Sequence, residues 1–300
     1  MPVVLGWIYY AIIKNGNNLT KNLREKEVVN GSGVCLCLGV IAISYINSWE
    51  QPYFIYGLWI LTVINFIDDI KGVYFVWRLM AQFIACCFLL MENDLFYSYW
   101  SPFLLLISVG ILNSFNFMDG INGITGSYGL SILFPIGVFV RLDQESTELT
   151  YALILFLVVF LFYNLRKNVR VWLGDVGSVG LAFLILNLCF RNFHGYGLYL
   201  TGLLCSIYLI DSGYTLIRRN IKKENVFKRH KQHLYQRLFS KAHLSEIRIA
   251  VIYFSLQLLL NTVLLSLENK NIQLLYGVVS FSSATLVYYL VKRKYEKELM

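Results

Sequence analysis

Carboxylates stand at two places where long apolar runs of the sequence end or begin. Asp68 and Asp69 close one run within residues 66–72, and Asp175 opens another within residues 174–178. Ionisable side chains at the edge of a membrane are costly, so they are candidates for function. Several carboxylates on one face would repel each other unless a cation lay among them. Mg²⁺ suits such a place, because it binds carboxylate oxygens, keeps part of its water and bridges to phosphate.

A third segment carries amides as well as an acid. Asn113 and Asn116 are three residues apart and therefore share one face of a helix. Asp119, Gly120 and Asn122 follow the end of the same apolar run. Glycine beside an acid lets the backbone approach a phosphate or a nucleoside closely. One acid at a helix end is most often a cap, and Asp-Gly alone is most often a turn, but three such segments on one side favour a shared site.

The last candidate segment, residues 218–246, is strongly basic. It holds nine Lys or Arg residues against two Glu residues, and it includes His230, His233 and Arg237. A basic face on anionic lipid headgroups is the plainest interpretation. A His-x-x-His pair could also bind a metal, although no HExxH-type pattern accompanies it. Because so many cations surround these histidines, we favour phosphate binding.

The composition places these segments in a membrane protein. Hydrophobic residues make up 57% of the chain, charged residues 15%, and mean hydropathy is +0.57. A soluble domain is about 45–50% apolar and about 25% charged. These values argue against a water-soluble enzyme, a disordered chain and a secreted disulfide scaffold; the six cysteines all lie in apolar runs and are interpreted as buried hydrophobic residues. We predict an all-α, polytopic transmembrane bundle that forms a single domain over residues 1–300.

Apolar runs of the length that crosses a bilayer occur along the whole chain. Eleven candidates predict about 10–11 spans, near residues 1–13, 33–49, 52–67, 76–91, 102–117, 124–141, 150–163, 176–191, 196–217, 247–266 and 273–291. The first is the weakest, because thirteen residues reach only about 20 Å of a core about 30 Å thick.

The distribution of basic residues predicts the orientation. If the N-terminus lies outside, only Arg141, Arg191 and Lys270 of the 26 Lys and Arg residues fall on the outer side, as the positive-inside rule expects. The C-terminus is then cytoplasmic, and the net charge of +8 needs no nucleic-acid partner. The predicted cytoplasmic catalytic loops lie near residues 14–32, 68–76, 116–123, 164–176 and 218–246.

Four motifs, in order and across about the whole chain, resemble those of the polyprenyl-phosphate N-acetylhexosamine-1-phosphate transferases. The first three match the patterns DDxxG, NxxNxxDGxxG and GDxGS, and the fourth matches a cytoplasmic histidine motif. They are Asp68-Asp69-x-x-Gly72, Asn113-x-x-Asn116-x-x-Asp119-Gly120-x-x-Gly123, Gly174-Asp175-x-Gly177-Ser178 and His230-x-x-His233-x-Tyr235-Gln236-Arg237. Departures are Asn122, where many members have Asp, and basic residues within 164–172, where Pro-Ala is common.

The resemblance implies a glycosyltransferase of the inner cell membrane with its active site on the cytoplasmic face. A polyprenyl (undecaprenyl) phosphate oxygen would attack the β-phosphorus of a UDP-N-acetylhexosamine and release UMP, which begins synthesis of O-antigen, lipopolysaccharide or another cell-wall polysaccharide. Residues 211–219 and the histidine run resemble the surface-polysaccharide branch more than the muramyl-pentapeptide branch. Mg²⁺, or Mn²⁺ in its place, is the implied cofactor, and a homodimer is compatible with the resemblance.

The resemblance also implies residue roles. The catalytic residues would be Asp68, Asp69, Asp175 and His233, and the metal ligands would be Asp175 and Asp68. Substrate binding would fall to Asn113, Asn116, Asp119, Gly120, Asn122, His230 and Arg237. A base at Asp68 would gain little, because a phosphate monoester with a second pKa of about 6 is already largely dianionic. A covalent aspartyl-phosphate route stays open beside direct transfer.

Two other functions fit parts of the sequence. A transporter of anionic sugar-phosphates would hold charges within the membrane, and Asp211 is one acid inside a predicted span. A CDP-alcohol phosphatidyltransferase would also use Mg²⁺, but its DGxxAR pattern is missing after Gly120. A structural scaffold would have no use for the clustered acids.

Overall fold

A computed structural model describes residues 30–166, 169–193, 199–225 and 231–297, and this part of the chain is helical without β-strands. Its helices are α1 (Gly33–Ile46), α2 (Pro52–Lys71), α3 (Phe75–Glu92), α4 (Ser101–Met118), α5 (Ile124–Phe139), α6 (Gln144–Asn164), α7 (Gly174–Asn192), α8 (Tyr199–Leu204), α9 (Ser206–Ile221), α10 (Leu234–Ser240), α11 (Glu246–Ser266) and α12 (Lys270–Lys297).

The predicted class, an all-α polytopic membrane protein, is confirmed. Within the described ranges, seven helices are long and apolar enough to cross a membrane, namely α2, α3, α4, α6, α7, α11 and α12. Helices α1 and α5 are apolar but shorter, with 14 and 16 residues. The apolar run at residues 1–13 lies outside the described residues, and the orientation of the termini stays a prediction.

The run predicted at residues 196–217 contains two helices, because α8 and α9 are separated at Cys205. Amide side chains of α11 bind the backbone on both sides of this break. Gln257 accepts a hydrogen bond from Ile207 N at 3.0 Å and donates one to Leu203 O at 3.3 Å. Asn261 donates to Leu204 O at 3.2 Å. Backbone groups freed in apolar surroundings need such partners, so the amides make the break tolerable.

The chain forms two compact units. One comprises residues 1–112 and 158–184, and the other comprises residues 113–157 and 185–300. The boundaries between them fall within helices α4, α6 and α7. The prediction of a single domain stays a prediction.

In the first unit, glycines bring the starts of α1 and α7 into backbone contact. A Cβ added at Gly33 would lie 2.0 Å from the Cα of Gly177. Ser32 N and Gly33 N donate hydrogen bonds to the carbonyls of Trp172 and Leu173, each at 3.0 Å. Small residues allow membrane helices to approach this closely. The contact places residues 30–33 beside the first turn of α7.

Helices α2 and α3 of the first unit pack against each other after a short connection. Gly72 ends α2 with a φ of 74°, a left-handed value that favours glycine. The three residues 72–74 then lead directly into α3. The last turn of α2 and the first turn of α3 are therefore neighbours, which matters for the acids that α2 carries there.

The second unit is built around α5 and α11 and a cluster of aromatic rings. Tyr128 of α5 and Tyr208 of α9 stack with centroids 3.5 Å apart, and Phe115 meets the two rings edge-on. The Tyr128 hydroxyl donates to Gln257 of α11 at 2.7 Å. Buried tyrosines need such polar partners. The cluster holds the C-terminal end of α4 against α5 and α9.

We expect Gly33→Ala to destabilise the protein by roughly 1–3 kcal/mol, because its methyl group would overlap the backbone of α7. The measurement is thermal unfolding in detergent. Gly39→Ala in the same helix is the matched control, since a Cβ there meets nothing within 4 Å. Equal melting temperatures for the two variants would contradict the close approach of α1 and α7.

Candidate active site

The two consecutive acids at the end of α2 have different partners. Asp68 accepts a hydrogen bond from Val73 N at 2.6 Å and forms an ion pair with Arg78. Asp69 instead accepts hydrogen bonds from Asp175 N at 3.0 Å and from Val176 N at 3.2 Å. Neighbouring residues of a helix point in different directions. The two acids therefore make different contacts within the first unit: Asp68 pairs with Arg78, and Asp69 binds the start of α7.

Asp69 caps the N-terminus of α7 from another helix. The first N–H groups of a helix have no partner within it, and a carboxylate also interacts favourably with the helix dipole. Gly174 makes the contact feasible: its φ is 76°, and an added Cβ would lie 2.6 Å from an Asp69 carboxylate oxygen and 2.9 Å from Gly31 Cα. The Gly-Asp pair of the third motif thus needs its glycine for the approach of Asp69.

Arg78, in the first turn of α3, joins two of the predicted catalytic acids. Its Nη1 atom forms ion pairs with Asp68 and, at 2.8 Å, with Asp175. The Asp68 side chain is 7% exposed, whereas that of Asp175 is 32% exposed. The guanidinium offsets the repulsion of the two carboxylates. Asp68, Asp175 and Arg78 therefore form one charged cluster, partly open to its surroundings.

From the sequence alone, Arg78 is only one of the basic residues that predict which ends of the helices face the cytoplasm. The signal that could have singled it out is its position, one turn inside an otherwise apolar span and ten residues after Asp68. A cation there needs a polar partner. Its second partner, Asp175, is 97 residues away in sequence, and no local pattern connects the two.

The oxygen donors of this cluster fit a divalent cation shared with a substrate. In the described part of the chain, no three or more His, Cys, Asp or Glu side chains are grouped to hold a metal ion. Asp68 and Asp175, however, each place one oxygen against the same nitrogen atom of Arg78. Mg²⁺ is usually held by one or two carboxylates, water and phosphate. The donor set suits that arrangement rather than a closed protein cage.

The amide-and-acid segment lies at the end of α4 in the second unit. Asn113 and Asn116 lie on α4, as predicted, and both are half-buried. The chain then turns: Asp119 N donates to Phe115 O at 3.1 Å, and Gly123 starts α5 with a φ of 81°. Asn122 donates to Glu246 of α11. The turn thus stands between two helix ends, with Asp119 half-buried.

The histidine segment of the second unit is only partly described, since His230 lies outside the described residues. His233 precedes α10 and is 2% exposed. Its Nδ1 atom is 3.2 Å from a carboxylate oxygen of Asp211, and its ring packs with Phe117 and Tyr235 at 6.1 and 5.9 Å between centroids. Arg237 of α10 is also buried. Both residues are therefore held inside a packed loop.

Tyr235 connects the histidine segment to the turn after α4. Its hydroxyl donates to Phe117 O at 3.1 Å, and a Cβ added at Gly120 would lie 2.1 Å from the same oxygen. Burial and the charges of Asp211 and Asp119 raise the pKa of Tyr235, so the hydroxyl keeps its proton and remains a donor. Gly120 thus makes room for a tyrosine, a role that the Asp-Gly pattern alone does not reveal.

We expect Tyr235→Phe to loosen the turn after α4, because the change removes the hydrogen bond to Phe117 O. Hydrogen exchange followed by mass spectrometry should show faster exchange in peptides covering residues 115–123. Tyr276→Phe is the control, since its hydroxyl also meets a backbone carbonyl, that of Leu260, outside this turn. Unchanged exchange in Tyr235→Phe would show that the contact does not order the turn.

Comparison with known proteins gives a consistent family. Residues 52–191 match the model of glycosyl transferase family 4. A probable undecaprenyl-phosphate N-acetylglucosaminyl 1-phosphate transferase of Bacillus subtilis is 23% identical over 258 residues, which cover 78% of this chain and 72% of that protein.

Two phospho-N-acetylmuramoyl-pentapeptide-transferases are similar over shorter stretches. That of Orientia tsutsugamushi is 24% identical over 58% of this chain and 64% of its own length. That of Enterococcus hirae is 29% identical over 41% of this chain and 37% of its own length. The chain thus spans less than two thirds of these two proteins. The family match contains the DDxxG, NxxNxxDGxxG and GDxGS motifs on a helical membrane fold, and together with the Bacillus protein it supports the family that these motifs indicate.

Proposed function

We propose that this phospho-sugar transferase moves N-acetylhexosamine-1-phosphate from a UDP-sugar to polyprenyl (undecaprenyl) phosphate. The products are the polyprenyl-diphosphate sugar and UMP, and the reaction begins synthesis of a lipid-linked cell-envelope polysaccharide. The observation that carries the proposal is the cluster of Asp68, Asp175 and Arg78. It combines carboxylates for a divalent cation with a guanidinium that suits phosphate.

The position of the cluster suits a reaction between a lipid and a water-borne donor. Asp68 lies in the last turn of α2, Arg78 in the first turn of α3 and Asp175 in the first turn of α7. All three helices are candidate membrane spans. A phosphate at the head of a prenyl chain would lie at such helix ends, while the chain stays among apolar side chains. We place these ends on the cytoplasmic face of the inner membrane.

Charge neutralisation and orientation are the main requirements of the reaction. Phosphoryl transfer brings two anions together and needs little covalent help from the protein. A Mg²⁺ ion, or Mn²⁺ in its place, held by Asp175 with Asp68 would supply charge neutralisation on the diphosphate and on the leaving UMP. Arg78 is suited to exchange its carboxylate partners for phosphate oxygens, because a guanidinium binds both in the same planar geometry.

The bond changes can be written without a protein base. An oxygen of the acceptor phosphate bonds to the β-phosphorus, and the bond from that phosphorus to the bridging oxygen breaks, so UMP leaves with the electron pair. The acceptor is already largely dianionic at neutral pH. Asp68 therefore serves as a ligand and orienting group, and Asp69 positions Asp175 by capping α7. A covalent aspartyl-phosphate remains the alternative route.

The residues of the second unit are assigned to the donor by the family resemblance. Asn113, Asn116, Asp119, Gly120 and Asn122 would contact the nucleoside. His230, His233 and Arg237 would bind the diphosphate or the sugar. The turn after α4 supports the first assignment, since it presents an acid and amides beside a glycine.

Similarity over 78% of this chain to the Bacillus protein, which is named as a probable undecaprenyl-phosphate N-acetylglucosaminyl 1-phosphate transferase, supports transfer of an N-acetylhexosamine-1-phosphate to a lipid phosphate. The matched pentapeptide transferases cover less of the chain. The transporter alternative relied on Asp211 inside a span, but that carboxylate accepts hydrogen bonds from side chains of its own unit. It has the character of a structural anchor rather than of a transport site.

The direct test uses purified protein with Mg²⁺, undecaprenyl phosphate and a panel of UDP-sugars. The panel holds the N-acetylglucosamine, N-acetylgalactosamine and 6-deoxy-N-acetyl sugars. We expect release of UMP with at least one donor, dependent on both the lipid and the cation. Absence of UMP with every donor, from protein that remains folded, would refute the proposed reaction.

We expect Asp175→Asn to reduce UMP release more than about 100-fold, because losing the charge removes several kcal/mol of cation binding. The fold should persist, since the cap on α7 is made by the backbone N–H of this residue. Asp143→Asn is the matched control, because Asp143 also pairs with an arginine, Arg191, away from the site. Activity of Asp175→Asn equal to that of the control would disprove the metal role.

A further inference from the structure

The described cations of the basic segment 218–246 include two groups that differ in burial. Arg219 and Arg237 are buried, with 3% and 8% of each residue exposed. Lys222, Lys223 and Lys231 are instead exposed on the second unit. These three residues are the exposed lysines. The proposed function uses Arg237 but gives the exposed lysines no role.

Contacts with α12 place the end of α9 at a membrane surface. Helix α12 is a candidate membrane span. Near its end, Lys292 donates to Thr215 of α9 at 2.6 Å, and Tyr295 O accepts from Lys241, next to α10, at 3.3 Å. Helix α9 continues past Thr215 for less than two turns, and two of the exposed lysines follow it directly. They therefore lie at the level where side chains meet lipid headgroups.

Apolar side chains accompany the lysines at this level. Ile217 and Ile221 lie one turn apart on α9, and 64% and 75% of these residues are exposed. They are on the face opposite to that of buried Thr215 and Arg219. Apolar surface is unfavourable in water, but at a membrane it enters the acyl region while neighbouring lysines reach the phosphates. The combination fits a lipid surface better than a water-borne phosphate compound.

Glu224 brings the exposed lysines together. It directly follows Lys223, and it accepts a hydrogen bond at 2.9 Å from Gln232, which directly follows Lys231. Its carboxylate also pairs with buried Arg219 at 3.1 Å and attracts one of the exposed lysines. One carboxylate shared in this way cannot neutralise three lysines. The surface therefore keeps a net positive charge, which attracts anions.

Lys223 has a backbone conformation that favours glycine. Its φ is 56°, and its N–H donates to Asn220 O at 2.9 Å. The next amide, Glu224 N, donates to Arg219 O at 2.9 Å. Helices that end with this pair of hydrogen bonds usually have glycine at the left-handed position, because a Cβ is strained there. The lysine thus lowers the stability of the fold, and an interaction of its charge at the surface would compensate for that cost.

We propose that the exposed lysines, together with Ile217 and Ile221, form a surface that binds the phosphate headgroups of anionic phospholipids. The ammonium groups attract the phosphates of a charged bilayer, and the two isoleucines enter the acyl region beside them. The surface lies at one membrane face of the second unit. It does not depend on the proposed function, because that function leaves these side chains unused.

Native mass spectrometry of the protein in detergent, titrated with phosphatidylglycerol or with phosphatidylcholine of the same acyl chains, tests the surface. We expect tighter binding of phosphatidylglycerol. Lys222→Gln, Lys223→Gln and Lys231→Gln should each weaken it about fivefold, the contribution of one cation near an anionic surface. Lys270→Gln is the control, because it removes an exposed cation at the other end of α12. Equal weakening by the control, or equal affinity for the two lipids, would overturn the proposal.

Lys223→Gly separates lipid binding from folding. Because the φ of this residue favours glycine, the melting temperature without added lipid should equal that of the wild type or rise. The affinity for phosphatidylglycerol should nevertheless fall about fivefold. A lysine that served only the fold would give a lower melting temperature with unchanged lipid affinity. Unchanged affinity, whatever the melting temperature, would contradict the proposed surface.

A competition experiment distinguishes a lipid headgroup from a water-borne phosphate. At constant ionic strength, neither inorganic phosphate nor a UDP-sugar should displace phosphatidylglycerol from the wild-type protein. The variants of the exposed lysines should also keep the wild-type KM for the UDP-sugar. Displacement by either compound, or a raised KM with unchanged lipid affinity, would assign the lysines to the substrate instead.

Discussion

The start of a helix at a membrane edge leaves N–H groups that need partners. In the described part of this protein, a carboxylate from another helix meets this need at α2, where Glu92 accepts from Phe54 N, and also at α7 and α10. Asp69 binds the first amides of α7, and Asp211 binds the first amide of α10. Both α7 and α10 begin next to a residue assigned to the proposed reaction, Asp175 or His233. The cap thus decides where that residue stands. The placement of the proposed site residues in both units depends on this constraint.

Charge balance is the second common feature of the two clusters. Arg78 lies between Asp68 and Asp175, and Lys292 reaches Asp211 through the hydroxyl of Tyr288. Such cations stabilise acids that burial would otherwise force to take up protons. The difference lies in access: Asp175 is partly exposed, whereas Asp211 and Lys292 are enclosed. The first cluster is therefore suited to exchange partners with a substrate, and the second to hold its own.

Much of this organisation could be predicted from the sequence, because apolar runs, their lengths and the acids at their ends are local features. The described runs are helical, and Asp68 and Asp175 both pair with Arg78. The partners of these acids could not be predicted. Arg78 and Lys292 resemble ordinary flanking cations. Folding pairs Arg78 with Asp175 and connects Lys292 to Asp211 through Tyr288, and both acids are far away in the sequence. The capping role of Asp69 depends on which way each of two adjacent carboxylates points, and one sequence does not encode that in any local pattern.

The interruption between α8 and α9 has a consequence for biogenesis. The peptide groups at the break form hydrogen bonds with Gln257 and Asn261, which the ribosome adds some fifty residues later. Until α11 enters the bilayer, the backbone groups between α8 and α9 lack these hydrogen-bond partners, and lipid cannot replace them. The backbone at the break therefore gains these partners only after α11 has been synthesised and has packed against it.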